Sequence, residues 1–140
     1  LYLKNMTEKH TCEAVVIHCI DFRFRKKLNE YLMSRFPEGY DLVSAAGGIK
    51  RLIADPIENN FVLEQLKISD KLHEPKTIVL IQHEDCGAYG GSAVFPDFGA
   101  EETLQKNELQ KAEQLLKNQF PLLVVEKFFA RLSNGLIPVV

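Results

Sequence analysis

Ala14-Val15-Val16-Ile17-His18-Cys19-Ile20-Asp21-Phe22-Arg23 and Thr77-Ile78-Val79-Leu80-Ile81-Gln82-His83-Glu84-Asp85-Cys86 decide the reading of this chain. In each, an apolar and largely β-branched run, of the kind buried on both faces of a parallel sheet, is followed at once by residues that carry chemistry. Side chains just beyond the ends of such strands lie on the sheet edge where ligands collect. Both half-motifs are therefore expected on one rim, where they would bring together two thiols, an imidazole and a carboxylate-guanidinium pair.

Working outward from these runs, strand and helix signals alternate. Phe24, Leu28, Tyr31, Leu32 and Phe36 recur at helical spacing, and Pro37-Glu38-Gly39 ends that helix before a short strand at Asp41-Leu42-Val43-Ser44. Asp55-Pro56 reads as an N-cap followed by proline at the first helical position, with Ile57, Phe61, Leu63 and Leu66 as the apolar face of the helix that follows. Residues 101–119 form a second amphipathic helix, with Leu109, Ala112, Leu115 and Leu116 inward and the charges solvated. A fourth strand is expected at 122–129. The whole predicts an α/β fold: a mostly parallel sheet of four to five strands with helices on both faces and right-handed crossovers. No repeat or linker interrupts it, so residues 1–140 are read as a single domain.

At 140 residues and 46% hydrophobic content, the chain suits one substantial core, and a net charge of −2 gives no electrostatic reason to expect nucleic acid. No apolar run is long enough to span a bilayer, and Leu1-Tyr2-Leu3-Lys4-Asn5-Met6 does not resemble a secretory signal, so the expected location is cytoplasmic. Three cysteines, an odd number, fit a reducing compartment better than a disulfide framework. Cys12 is most simply an unligated thiol. His10, His18 and His73 read as ordinary surface or core histidines.

Cys19, His83 and Cys86 are of the right types to hold zinc, leaving the fourth tetrahedral position open to water as in catalytic sites. Two thiolates balance the metal charge, so the bound water should be less acidic than the value of about 7 seen at strongly activating sites. In a strand-like stretch, positions two apart share a side, so Cys19, Asp21 and Arg23 would converge, with Arg23 keeping Asp21 ionised and oriented. As a simpler alternative, Asp21 and Arg23 form a structural ion pair.

Cys-x-Asp-x-Arg after a first strand, a glycine turn after a second, and His-x-x-Cys-Gly after a third resemble the β-class carbonic anhydrases, zinc enzymes that interconvert carbon dioxide and bicarbonate. The resemblance covers most of residues 14–91. It implies one zinc per chain on Cys19, His83 and Cys86. It also implies that Asp21 and Arg23 are the catalytic dyad, whose carboxylate accepts a hydrogen bond from zinc-bound hydroxide or, in a resting form, ligates zinc itself. A homodimer or larger homo-oligomer follows, with Phe95-Pro96-Asp97-Phe98 and Phe128-Phe129 as candidate contact surface. Phe22, Gly47, Gly48 and Gly87 would line the substrate pocket. The chain departs from the family where serine gives way to Phe22, and where the usual Arg-Asn-Ala-Gly-Asn turn reads Ser44-Ala45-Ala46-Gly47-Gly48. A similar Ala-Gly-Gly turn occurs in related zinc hydrolases of carbon disulfide or carbonyl sulfide, which keeps that activity open beside carbon dioxide hydration.

Two further readings compete. A non-catalytic zinc module would retain the ligands alone. A cysteine-dependent phosphatase is suggested by the spacing from His18-Cys19 to Arg25, although Ile20, Asp21, Phe22 and Phe24 are poor residues for a loop whose backbone N–H groups must surround an anion.

Overall fold

A computed structural model describes residues 9–133 and 135–139, so the Leu1–Met6 stretch lies outside the described residues. The strands are β1 (Ala14–His18), β2 (Tyr40–Ser44), β3 (Thr77–His83), β4 (Val124–Arg131) and β5 (Gly135–Pro138). The helices are α1 (Arg25–Arg35), α2 (Lys50–Ala54), α3 (Phe61–His73) and α4 (Phe98–Gln119). The strands form one sheet in the order β2-β1-β3-β4-β5, parallel except for the β4–β5 pair.

The apolar strand runs are explained by cover on both faces. Val15, Ile17, Ile78, Leu80 and Phe129 face one way, against Leu52 of α2, Leu63 and Leu66 of α3, and Leu109 and Leu116 of α4. Ala14, Val16, Val79, Ile81 and Phe128 face the other way, against Phe24, Leu28, Leu32 and Phe36 on and around α1. Full burial of each large aliphatic side chain contributes about 1.5–3 kcal/mol, so a continuous apolar strand is stable only between two such layers.

From β1 the chain passes to β2 on one side, then crosses to β3 on the other, so the connections diverge between the carboxyl ends of β1 and β3. That crevice is where open parallel sheets place their ligands. His18 pairs in register with Ile81, so β3 runs two residues further and ends on His83, while Cys19 follows directly from β1.

Local details differ from the sequence reading. Asp55 and Pro56 do not start α3: Asp55 closes α2 and pairs with Arg51, Pro56 is extended, and a short 3-10 turn intervenes at Ile57–Asn59. Asn60 caps α3 instead, its side chain accepting from Leu63 N–H at 3.0 Å and donating to Leu52 O at 2.8 Å. This start leaves Ile57 and Phe61 outside, 50% and 66% exposed, and turns Val62, Leu63 and Leu66 inward. Helix α4 begins at Phe98, before the expected 101, because Asp97 accepts from the Ala100 N–H. Strand β4 starts at Val124, beyond the expected 122, since Leu122 stands 93% exposed in a turn. Phe128 and Phe129 offer no subunit contact surface, being 8% and 0% exposed within the chain's own core. Phe98 packs on Phe129, with ring centroids 6.0 Å apart.

Candidate metal centre

Strand β1 ends at His18, and the following residues form a turn rather than continuing the strand. The Asp21 carboxylate caps a 3-10 turn at Phe22–Phe24 by accepting from the Arg23 N–H at 3.0 Å. Cys19, Asp21 and Arg23 therefore converge through a turn, not through the pleat expected from their spacing. Phe24 anchors the turn in the core and lies against the His83 ring, with centroids 4.5 Å apart.

At the end of β3, His83 is buried. Its Nδ1 lies 2.7 Å from Glu84 O, which accepts the Nδ1–H and leaves Nε2 as the ring's lone-pair nitrogen. Nε2 is buried without a hydrogen-bond partner. The ligand atoms of Cys19, His83 and Cys86 lie within 4.8 Å of one another, all three residues being buried. The hydrogen bond between the two thiols, opposed by burial and helped by His83 and the Gly47 amide, holds the Cys19 thiol well below its ordinary range. That same bond, together with burial, raises Cys86. One thiolate thus forces its neighbour to keep a proton, whereas a divalent cation between them would ionise both. Burial would lower the His83 pKa, but the Cys19 thiolate and the Glu84 carbonyl raise it overall. A buried lone pair aimed at two sulfurs fits a cation of the zinc type, which takes imidazole nitrogen and thiolate together.

Beside this group, Asp21 Oδ2 lies 3.9 Å from His83 Nε2. Arg23 grips the Asp21 carboxylate through Nη2 at 2.6 Å and Nε at 3.0 Å, and this bond holds Asp21 down to about 2. The same guanidinium reaches Asp85 Oδ2 and the Asp85 carbonyl, each at 3.0 Å. Asp85 sits in the left-handed region at φ 58°, a conformation that costs a non-glycine residue about 1–2 kcal/mol. Ser92 N–H donates to its Oδ1 at 2.7 Å, and its own N–H donates to buried Glu101 at 2.8 Å. The turns carrying Cys19 and Cys86 are thereby tied together through Arg23 and Asp85.

A cleft of about 660 Å³ opens beside the group, lined by Ile20, Phe22, Ala46, Gly47, Gly87 and Ala88 among others, with Asp21, Arg23 and Asp85 as its charged members. Phe22 is 82% exposed at this cleft and does not enter a core. Of the expected pocket residues, Phe22, Gly47 and Gly87 line it, while Gly48 lies buried against Gln82. Arg25 is not among the lining residues, and the Asp21 carboxylate is, so the Cys19-to-Arg25 spacing builds no anion cradle here.

The sequence reading missed Gln82, Asp85, Glu101 and Gln105. Gln82 accepts from Ile49 N–H and donates to Gly47 O and to Gln105 Oε1, each at 3.0 Å, which clamps the glycine turn over Cys19. A signal was present: Glu101 and Gln105 continue the stripe of Leu109, Ala112 and Leu116, and Gln82 is a polar residue inside an apolar strand. The charged face of α4 is accordingly not all solvated, since Glu101 is 2% exposed.

A family model described as "Putative carbonic anhydrase" matches residues 9–139. The chain belongs to that family. Among curated proteins, an uncharacterized protein of Rickettsia conorii is 28% identical over 139 residues, covering 95% of this chain and 73% of the relative. Two solved structures show that this family member has a β-carbonic anhydrase fold. β-carbonic anhydrase isoform I of Trichomonas vaginalis superposes with a TM-score of 0.67 at 13% identity, covering 99% of this chain and 91% of that one. One of the tetrameric β-carbonic anhydrases of Sordaria macrospora gives 0.64 at 14% identity, covering 99% and 85%.

Proposed function

We propose that this carbonic anhydrase family member is a zinc enzyme that reversibly hydrates carbon dioxide to bicarbonate, with one zinc held by Cys19, His83 and Cys86. The observation that carries this reading is the unpartnered, buried Nε2 of His83 facing two thiols at the carboxyl ends of β1 and β3. Zinc bound there would supply a Lewis acid that lowers the pKa of a water at its open position.

The chain's own residues do the rest. Asp21 Oδ2, close to His83 Nε2, accepts a hydrogen bond from the attacking water and so aims its oxygen. A carboxyl held to about 2 is too weak a base to keep a proton near neutrality, so Asp21 orients and does not store the proton. Arg23 positions Asp21. Attack forms one carbon–oxygen bond as the electron pair of one C=O bond moves onto its oxygen; of the water's two protons, one stays on the bicarbonate and the other leaves to solvent through the cleft. Ile20, Phe22, Ala46 and Ala88 give the linear, uncharged substrate an apolar wall.

That apolar lining also favours a second reading, hydrolysis of carbon disulfide or carbonyl sulfide at the same centre. Assembly as a homodimer, or a larger homo-oligomer built from dimers, is part of the proposal and is supported by the tetrameric state of the Sordaria relatives. So is a cytoplasmic location for a single-domain protein, supported by the free thiols Cys12, Cys19 and Cys86. No helix among the described residues is long and apolar enough to cross a membrane.

The decisive experiment follows oxygen-18 loss from labelled carbon dioxide by membrane-inlet mass spectrometry, using zinc-loaded protein. Zinc-dependent exchange supports the anhydrase. Hydrogen sulfide release from carbonyl sulfide or carbon disulfide without exchange selects the second reading, and a zinc-loaded protein inactive on all three would be a non-catalytic member.

A further inference from the structure

At the opposite end of the sheet, three elements meet around a second group of metal-binding side chains. Cys12 precedes β1, Asp41 is the second residue of β2, and His73 ends α3. Their ligand atoms lie within 4.8 Å of one another. The backbone holds the group in place, since Cys12 N–H donates to His73 O at 3.0 Å and β1 pairs with β2 so that Val15 faces Asp41. Asp41 Oδ2 accepts from Ser69 Oγ at 2.7 Å and lies 2.6 Å from His73 Nδ1. A carboxylate oxygen takes a hydrogen bond from His73 Nδ1–H, so Nε2 is the nitrogen on the far side of the ring. The Nε2 of His10 lies 3.0 Å from that atom. A carboxylate on one imidazole nitrogen, with a second donor facing the other, is the arrangement that orients metal-ligating histidines.

We propose that Cys12, His73 and Asp41, joined by His10, form a second transition-metal site independent of the cleft, structural in kind and selective for a borderline-soft divalent cation such as zinc or cobalt(II). Thiolate with imidazole favours such cations over magnesium or calcium, which take oxygen ligands. Asp41, on the Nδ1 side, acts as the group that orients His73. Cys12 keeps its proton in the absence of a cation, because burial and the Asp41 charge both raise its pKa. A divalent cation would reverse that balance by placing positive charge between the two groups. Bound metal would pin the segment before β1 to the end of α3 and the start of β2.

Zinc content per chain, measured on full-length protein after dialysis against metal-free buffer, tests the site. Cys12→Ser should lose one zinc relative to wild type, whatever the wild-type total. His73→Ala should lose the same one. In a Cys19→Ser/Cys86→Ser protein Cys12 is the remaining thiol, so one equivalent of cobalt(II) should produce a thiolate charge-transfer band that disappears when Cys12→Ser is added. Unchanged zinc content in folded Cys12→Ser would overturn the proposal. If the double-cysteine protein does not fold, the zinc difference between wild type and Cys12→Ser still decides. Because that difference is independent of Cys19 and Cys86, failure here is distinguishable from failure of the catalytic reading.

Discussion

Gln82 Oε1 occupies the place where a side chain on Gly48 would begin: a Cβ built on Gly48 would fall 2.2 Å from it. Gly48 also adopts φ 59°, so the glycine is required by both space and backbone. Gly48→Ala should push Gln82 out of its clamp on Ile49 N–H and Gly47 O and add left-handed strain. The combined cost is roughly 2–4 kcal/mol. Urea denaturation of wild type and variant measures it, and a change below 0.5 kcal/mol, about the noise of a surface substitution, would contradict the clamp.

The metal ligands lead to a second expectation. Cys86→Ala removes one sulfur from the group and should lower tightly bound zinc by one equivalent per chain, since two remaining protein ligands do not make a closed or catalytic zinc site. Elemental analysis of purified variant and wild type checks this. Unchanged metal in a folded variant would remove Cys86 from the ligand set. Asp21→Asn, by contrast, should retain that zinc while oxygen-18 exchange falls by about 10²-fold or more, because the amide can donate toward the water instead of accepting.

Much of this centre was legible from residue type and order alone. Two apolar runs specify parallel strands, and any groups that follow them must meet on one sheet edge, so Cys19, His83 and Cys86 could be brought together without coordinates. The supporting groups were less legible for a physical reason. Glu101 and Gln105 continue the apolar stripe of helix α4, but as polar residues they read as solvated until their partners Gln82, Asp85 and Ser92, remote in sequence, are brought beneath them by the fold. Asp85 depends on a left-handed turn held by its bonds to Ser92, Glu101 and Arg23, all remote in sequence or formed only in the fold. Likewise the cap of α3 lies at Asn60 and not at Asp55, because an Asp-Pro pair opens a 3-10 turn as readily as an α-helix, and the buried carbonyl of Leu52 selects Asn60. The short antiparallel β5 depends on pairing with β4 and has little pattern of its own.

Arg23 sets the acid limb of stability. Its bond to Asp21 depresses the folded-state carboxyl to about 2, below the ordinary unfolded value of about 3.9. A depressed carboxyl stabilises the fold above its unfolded pKa and loses that contribution as pH falls through the folded one. Wild type should therefore lose this contribution between about pH 4 and pH 2. Arg23→Gln should be less stable at pH 6, and the gap should narrow across that window. Urea midpoints of both proteins, measured in chelator at several pH values, test the sign. A gap that stays constant from pH 6 to pH 2 would mean that Arg23 acts through packing or through the Asp85 carbonyl, since its pairing with the Asp85 carboxylate would itself be lost in acid.

The proposed assembly offers the last test. With Phe128 and Phe129 consumed by the core, the exposed aromatic nearest the metal group is Phe22, 82% exposed at the cleft, beside Ile20 at 57%. A homodimer with its boundary at the rim of the cleft would cover both residues while leaving the cleft mouth open, and full burial of a phenylalanine contributes about 1.5–3 kcal/mol. Since each subunit contributes one Phe22 to a twofold interface, the effect counts twice. Phe22→Ser should therefore weaken dimerisation by roughly two to four orders of magnitude in Kd. Light scattering and sedimentation at micromolar concentration read this directly. A monomeric wild type, or a dimer indifferent to Phe22→Ser, would leave Phe22 as a wall of the substrate cleft only, and its substitution should then change KM for the small substrate without altering molecular mass.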